Sequence, residues 1–325
     1  MQYFQSLNKS STEVTADDYV PLLRAQASKG LLMQAIDSVA HLRRSGLQPN
    51  VRVFTSLIPA AAVANDPSRA EAILSEMQSL GLKPTLWTWS AVALAHARGG
   101  SLDDAFGVLE RVQAEGLQAD HVLYTTLIHG SVQKGLIDRA WNTFVEMRKR
   151  VAEPDEVTFT VLLMACASRS QTERALNLWS EMKMLRMRPT EVTYTAVIHA
   201  CATRPDYAER AFELFEEMKG LGLEPDAVTY NTLLHACASA GDVLDSQAVA
   251  MEMQRAGFEL DLVSFNTILN TYARAARKET DPAQRKLLAE AAHQVYSDMQ
   301  VRGVKASVIT LNTMLLVYCN AGLVS

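Results

Sequence analysis

Aromatic residues make up only 7% of this 325-residue chain, and it holds just 15 glycines and 10 prolines. With alanine, leucine and methionine plentiful, that scarcity of helix breakers favours helix. No stretch of 18 uncharged apolar residues exists, which excludes a membrane-spanning helix. Cysteine is rare too. Cys166, Cys201, Cys237 and Cys319 stand 35, 36 and 82 residues apart, a spacing that fits neither a zinc pattern nor a disulfide framework and points to a reducing compartment. A basic excess is also missing: the formal charge is −5, whereas domains that bind nucleic acid are usually basic. The first residues, "MQYFQSLNKSSTEV", show no apolar core before a small-residue cleavage site, and one Lys with no Arg makes a poor transit peptide. There is no phosphate loop, carboxylate pair, Ser/His/Asp set or ligand cluster, so no catalytic residue, metal or cofactor is expected.

What the chain does have is repetition. "EVTFTVLLMACASRS" starts at Glu156, "EVTYTAVIHACATRP" at Glu191 and "AVTYNTLLHACASAG" at Ala227. Aligned on the aromatic, Tyr19, Phe54, Trp89, Tyr124, Phe159 and Tyr194 are each 35 residues apart; Tyr230 follows after 36, Phe265 after 35 and Leu311 after 46. Such a period means a solenoid of stacked units rather than the two or three ordinary domains that length alone suggests. An alanine lies 16 or 17 residues past the aromatic (Ala35, Ala70, Ala105, Ala140, Ala175, Ala211), and a methionine often seven later (Met77, Met147, Met182, Met218). Gly-x-x-Pro closes several units, from Gly46, Gly81 and Gly222.

Each unit reads as two helices. "YTTLIHGSVQKG" is a first helix stopped by Gly135, and "LIDRAWNTFVEMRKR" a second, with Ala140, Phe144 and Met147 on one stripe. The alanine lets backbones approach; the glycine stops the helix and the proline prevents its continuation. No unit buries its own apolar face, so neighbours must stack. Cys166, Cys201 and Cys237 hold one place in consecutive first helices, about 10 Å apart. Shared metal ligation needs about 2.3 Å, so these cysteines read as small buried hydrophobes.

This pattern of 35-residue helical pairs resembles the pentatricopeptide repeat family, P class, over residues 16–325. The tetratricopeptide signature W-x-x-L-G-x-x-Y is missing. The expected organisation is an N-terminal extension or cap at 1–15, repeats at 16–50, 51–85, 86–120, 121–155, 156–190, 191–226, 227–261 and 262–307 (with an insertion), and a partial repeat at 308–325. The resemblance implies an all-α, right-handed superhelical solenoid that binds single-stranded RNA, one base per repeat, in its inner groove. By resemblance the base is chosen by the residue after the aromatic together with the last residue of the unit. The first members are Val20, Thr55, Ser90, Thr125, Thr160, Thr195, Asn231, Asn266 and Asn312; the last residues are Asn50, Thr85, Asp120, Asp155, Thr190, Asp226, Asp261 and Ser307. All first members but Val20 are small and polar, and packing alone needs no hydroxyl or amide there.

In that family Ser90 with Asp120, Thr125 with Asp155 and Thr195 with Asp226 are guanine combinations. Asn231 with Asp261 resembles the uracil pair and Asn266 with Ser307 the cytosine one. Thr160 with Thr190 and Thr55 with Thr85 imply no more than a purine, and Val20 with Asn50 suits a cap. The expected RNA core is G-G-purine-G-U-C. Val122, Val157, Val192, Val228, Val263 and Ile309 match the family's aliphatic wedge that sandwiches bases, with ordinary packing as the alternative. Arg52 and Trp87 depart from it; an indole stacks, and a guanidinium stacks or meets phosphate.

Basic residues end most first helices: Lys29, Arg98, Lys134, Arg169, Arg204 and Arg274. Acidic residues gather on second helices, as in "ELFEEM" from Glu213. A basic rim for phosphate is one reading, and cations serving helix C-termini is the other. His129, His199 and His235 each follow a first member by four residues and read as polar groove lining. Unit eight carries 11 extra residues, basic through Arg277, Lys278, Arg285 and Lys286, with Thr280 or Asp281 capping a helix that has Pro282 in its first turn. That insert is either an RNA or protein contact or simply tolerated. The ending "NAGLVS" leaves the last first helix without a partner, which suggests a fragment or a covering element.

Two functions remain. One is a sequence-selective RNA-binding protein without chemistry of its own, placed by resemblance in a chloroplast or mitochondrion. The other is a protein-binding scaffold or structural subunit of a large ribonucleoprotein such as an organellar ribosome.

Overall fold

The computed structural model describes residues 14–150 and 153–323. Of the extension expected at 1–15, residues 1–13 lie outside the described residues, as do Val324 and Ser325 at the other end. The chain divides into two compact units, Met1–Thr158 and Phe159–Ser325. Among the described residues there are 17 α-helices and no strand, and the fold is an all-α helical-repeat solenoid.

The first unit holds α1 (Val20–Ser28), α2 (Leu32–Arg44), α3 (Val51–Val63), α4 (Pro67–Ser79), α5 (Leu86–Gly99), α6 (Leu102–Ala114), α7 (His121–Gln133) and α8 (Ile137–Lys149). Helix α9 (Glu156–Ser168) begins at its edge. The second unit continues with α10 (Thr172–Met184), α11 (Glu191–Ala202), α12 (Ala208–Gly220), α13 (Ala227–Ala240), α14 (Val243–Arg255), α15 (Leu262–Lys278), α16 (Pro282–Val301) and α17 (Val308–Asn320). In the first unit α1, α3, α5 and α7 pack side by side in a row, and each of α2, α4 and α6 fills the angle between its own first helix and the next. In the second unit α11, α13, α15 and α17 form the same kind of row.

The periodic residues build the core. Tyr19, Phe54, Trp89 and Tyr124 are buried in the first unit, and Phe159, Tyr194, Tyr230 and Phe265 in the second. All six spaced alanines and the four spaced methionines are fully buried. Each methionine so buried contributes roughly 1.5–3 kcal/mol, and a larger side chain at Ala140 would overpack the helix contact by about 1–3 kcal/mol. Leu311, at the ninth aromatic position, is exposed with its neighbours Leu315 and Leu316.

The helix stops follow from backbone geometry. Gly222 adopts φ +74° after α12, and the amides of Gly222 and Leu223 turn back to the carbonyls of Lys219 and Met218. Arg186 takes the same left-handed place after α10 without glycine's freedom, at φ +54°. The insertion lengthens both helices of its repeat: α15 runs 17 residues and α16 runs 20, against 13 in most others. Asp281, rather than Thr280, caps α16 by accepting from the Ala283 amide at 3.0 Å, and Pro282 fills the first helical position.

Candidate nucleic-acid interface

Each unit-closing residue turns out to be the N-cap of the next first helix. Asn50, Thr85, Asp120, Asp155, Thr190, Asp226, Asp261 and Ser307 each accept a hydrogen bond from the backbone amide three residues on, at 2.8–3.4 Å. A side-chain cap of this kind is worth about 1 kcal/mol. Every one of these residues is half-buried or exposed.

The cap and the residue it was expected to pair with are joined by a third side chain. Thr125 lies 2.6 Å from Thr158 Oγ1, which donates to Asp155 Oδ1 at 2.7 Å. In the second unit Thr160 meets Thr193, which is 3.0 Å from Thr190. Thr195 lies 2.8 Å from Thr229, which donates to Asp226 at 2.8 Å. Ser264 donates to Asn231 Oδ1 and lies 2.9 Å from Asp261, and Thr310 donates to Asn266 Oδ1 and lies 3.1 Å from Ser307. The five linking hydroxyls are fully buried. The sequence reading assigned them nothing, although their signal was there: each is the Ser or Thr that precedes the periodic aromatic, or Leu311 in the last repeat, as in "VTY" and "VSF".

The link is missing further towards the N-terminus. Leu123 takes the linking place beside Ser90 and Asp120, and there the expected exposed hydroxyl is absent: Ser90 is 4% exposed and its Oγ has no partner. Thr55 donates to the Arg52 carbonyl of its own helix at 3.0 Å. Val20 is buried, and Asn50 instead donates to Asp17 at 2.9 Å, as does Arg52. Those bonds, that from Asn50 first, hold the Asp17 carboxyl below its usual range. Arg52 therefore belongs to a surface ion pair. Asn312 is exposed.

The wedge positions stand in solvent rather than in the packing. Trp87, Val157, Val192, Val228, Val263 and Ile309 are 57–66% exposed, Arg52 is exposed and Val122 half-buried. In the first unit Arg52 and Trp87 line a cleft of about 790 Å³, together with Thr55, Thr85, Arg24 and Pro59. One of the expected pairs and both its flanking wedge positions thus open on one hollow.

The basic residues divide. Lys29, Arg98 and Lys134 are exposed at the ends of α1, α5 and α7, and Arg169 is exposed after α9. Arg204 is shared between Glu173 and Asp206, at 3.7 and 3.5 Å, and lies over the Tyr207 ring. Arg274 and Lys278 reach the last carbonyls of α13, those of Ser239 and Ala240, which is the helix-terminus role. Arg285 donates to the Glu279 carbonyl. The acidic second helices are tied together within each unit: Arg43 to Glu76, Arg111 to Glu71 and Arg139 to Asp103 in the first; Lys183 to Glu217 and Lys219 to Glu252 in the second. Surface pairs of this kind are worth about 0–1 kcal/mol each.

His129, His199 and His235 lie exposed on first helices, one turn past the expected selectors. Partial burial, and then Arg98, lowers the His129 pKa; burial, and then His235, lowers that of His199. Burial pushes the Cys166 and Cys201 thiols up to about 11 and Cys237 to about 12. Among the described residues no group of His, Cys, Asp or Glu could hold a metal ion, and no helix is long and apolar enough to cross a membrane.

The chain is similar to known repeat proteins. A family model described as the pentacotripeptide-repeat region of PRORP matches residues 1–164, a pentatricopeptide repeat domain matches 213–275 and the PPR repeat family matches 162–203. A search of curated proteins finds no match. Among solved structures, the pentatricopeptide repeat protein PPR10 from maize is 22% identical, with a TM-score of 0.76 over 99% of this chain and 44% of that one. PPR10 in complex with an 18-nt psaJ RNA element is 23% identical, with a TM-score of 0.71 over 98% of this chain and 45% of that one. The chain spans less than half the length of those proteins.

Proposed function

The chain belongs to the pentatricopeptide repeat family, and on that premise we propose that it is a sequence-selective single-stranded RNA-binding protein of the P class, reading one base per repeat without chemistry of its own. The observation that carries this reading is the exposed apolar row beside a polar pair in repeat after repeat: Val157 in the first unit, then Val192, Val228, Val263 and Ile309 in the second. Aliphatic side chains left in water at one fixed address gain nothing for a scaffold. Beside hydrogen-bonding pairs they suit planar bases held between them. Aromatic stacking is worth about 1–3 kcal/mol per base, and aliphatic contacts give less, so several repeats must act together. The structural relative PPR10 is solved with an RNA element, which supports the same class of ligand.

The expected core remains G-G-purine-G-U-C, with the first guanine resting on Asp120 because Ser90 is buried. The net charge of −5 is a sum over the whole chain and does not describe the ends of the first helices, where Lys29, Arg98 and Lys134 are exposed. Lys29, Arg98 and Lys134 supply the phosphate contacts. Binding would protect, remodel or recruit to a transcript, in RNA stabilisation, processing or translation within a chloroplast or mitochondrion.

The test is a titration of the protein with an oligonucleotide carrying GG-purine-GUC and with its scrambled version. Tighter binding of the ordered sequence is expected. Equal binding of both, or of neither, would favour a helical scaffold such as a ribonucleoprotein subunit.

A further inference from the structure

A hydroxyl carries one proton, and that fact gives the buried linking residues a role. Thr229 donates its proton to Asp226 Oδ1. The contact of 2.8 Å between Thr229 and Thr195 then needs a proton from Thr195. The Glu191 carbonyl, 2.9 Å from Thr195 Oγ1, is the other acceptor available to it. Whichever of the two takes it, none is left for a base, so Thr195 and Asp226 together offer only acceptors. Thr158 sets the same state in the first unit, because it donates to Asp155 and leaves Thr125 to donate inward. An acceptor-only edge complements the N1–H and N2–H₂ donors of guanine and mismatches adenine.

The opposite output occurs where the groove residue is an amide. Thr310 gives its proton to Asn266 Oδ1 at 2.7 Å, which leaves Nδ2 as the donor available to a pyrimidine carbonyl, while Ser264 has one proton for two acceptors, Asn231 Oδ1 at 2.7 Å and Asp261 Oδ1 at 2.9 Å. Thr190 ends its chain in a hydroxyl, so the direction of the Thr190–Thr193–Thr160 chain is not fixed and neither edge of a purine is imposed.

We propose that the buried hydroxyl at the third position of α9, α11, α13, α15 and α17 (Thr158, Thr193, Thr229, Ser264, Thr310) is a specificity-positioning residue: bonded to the N-cap of its own helix, it holds the groove-facing residue of the preceding repeat in a set hydrogen-bonding state. Thr193, Ser264 and Thr310 also serve the caps, accepting from the backbone amides of Thr190, Asp261 and Ser307 at 3.0–3.3 Å, but capping does not account for the further contact that each of the five makes with the preceding repeat. Five such hydroxyls, fully buried, each lie 2.6–2.8 Å from a partner that is Thr in three cases and Asn in two. Where Leu123 replaces the hydroxyl, the facing Ser90 is left buried and unpartnered.

The inference rests on the base-reading proposal and is tested so that the two fail differently. Thr229→Val removes the hydroxyl and keeps the shape; Thr229→Ser restores it. Each protein is titrated with oligonucleotides varied at the base facing Thr195–Asp226 and, as a control, at the base facing Asn266–Ser307. The guanine-over-adenine ratio should fall about fivefold in T229V, recover in T229S and stay unchanged at the control base. Thr158→Val repeats the test in the other unit should T229V not fold. A wild-type ratio in T229V, with that ratio lost in T195V, would overturn the positioning role alone. A wild-type protein that discriminates at neither base would overturn the base-reading proposal and this inference with it.

Discussion

Thr310 donates its hydroxyl to Asn266 Oδ1 over 2.7 Å, the same distance as Ser264 to Asn231, although 44 residues separate the first pair and 33 the second. The insertion therefore leaves the register of this contact between repeats intact. It does so by adding length to α15 and α16 at the ends that meet, away from the residues that link one repeat to the next.

The caps allow stability and base preference to be separated. Asp226→Ala removes the acceptor of the Thr229 amide and should lower unfolding stability by about 1 kcal/mol. Asp226→Asn keeps an acceptor for that amide but adds donors to the groove. Its denaturant midpoint should stay near wild type while guanine preference at that repeat falls. Equal losses of stability in both variants would remove the cap from this account.

Ser90 predicts a gain. Its buried hydroxyl has no partner, and an unsatisfied buried group costs about 1–3 kcal/mol. Ser90→Ala should therefore raise the urea midpoint, with an unfolding free energy about 1 kcal/mol higher. A fall would mean that the hydroxyl has a bond in solution.

Thiol chemistry should distinguish the four cysteines. Cys319 is exposed, whereas Cys166, Cys201 and Cys237 are buried with raised pKa values. At pH 8 a thiol reagent should label one cysteine in the native protein and four in denaturant. Rapid native labelling of Cys201 would show that the repeats open at that helix.

The histidines set a pH dependence. A histidine whose folded pKa lies below its unfolded value of about 6.5 takes its proton more readily in the unfolded chain. His129 and His199 are both lowered, so the stability they influence is intact above that value and declines as pH falls below it. Melting of the RNA-free protein between pH 7.5 and 5.5 measures this, and His199→Gln should flatten the slope. An unchanged slope would contradict the assignment.

Much of this was legible in the residues. The period, the buried aromatic, alanine and methionine landmarks and the two helices per repeat follow from packing, which repeats because every neighbour is the same. The polar residues after the periodic aromatic were legible as variation at one address. Other features were not, because they depend on single neighbours. Thr229 looks in sequence like any small packing residue. Ser90 is a hydroxyl like Thr125, and only Leu123 on the next helix makes it an orphan. Arg204 and Arg274 stand where Lys29 and Lys134 stand, yet Asp206 beside the first and the open carbonyls under the second engage them.

The central claim is that one residue pair addresses one base, and the most direct measurement of it is the change in base preference on Asn231→Thr. Oligonucleotides differing only at the base facing Asn231–Asp261 are titrated against wild type and variant. The wild type should prefer uracil there and N231T guanine, with preferences at every other base unchanged. If N231T ranks the four bases as the wild type does, residue 231 does not read the base and the one-pair, one-base account is wrong.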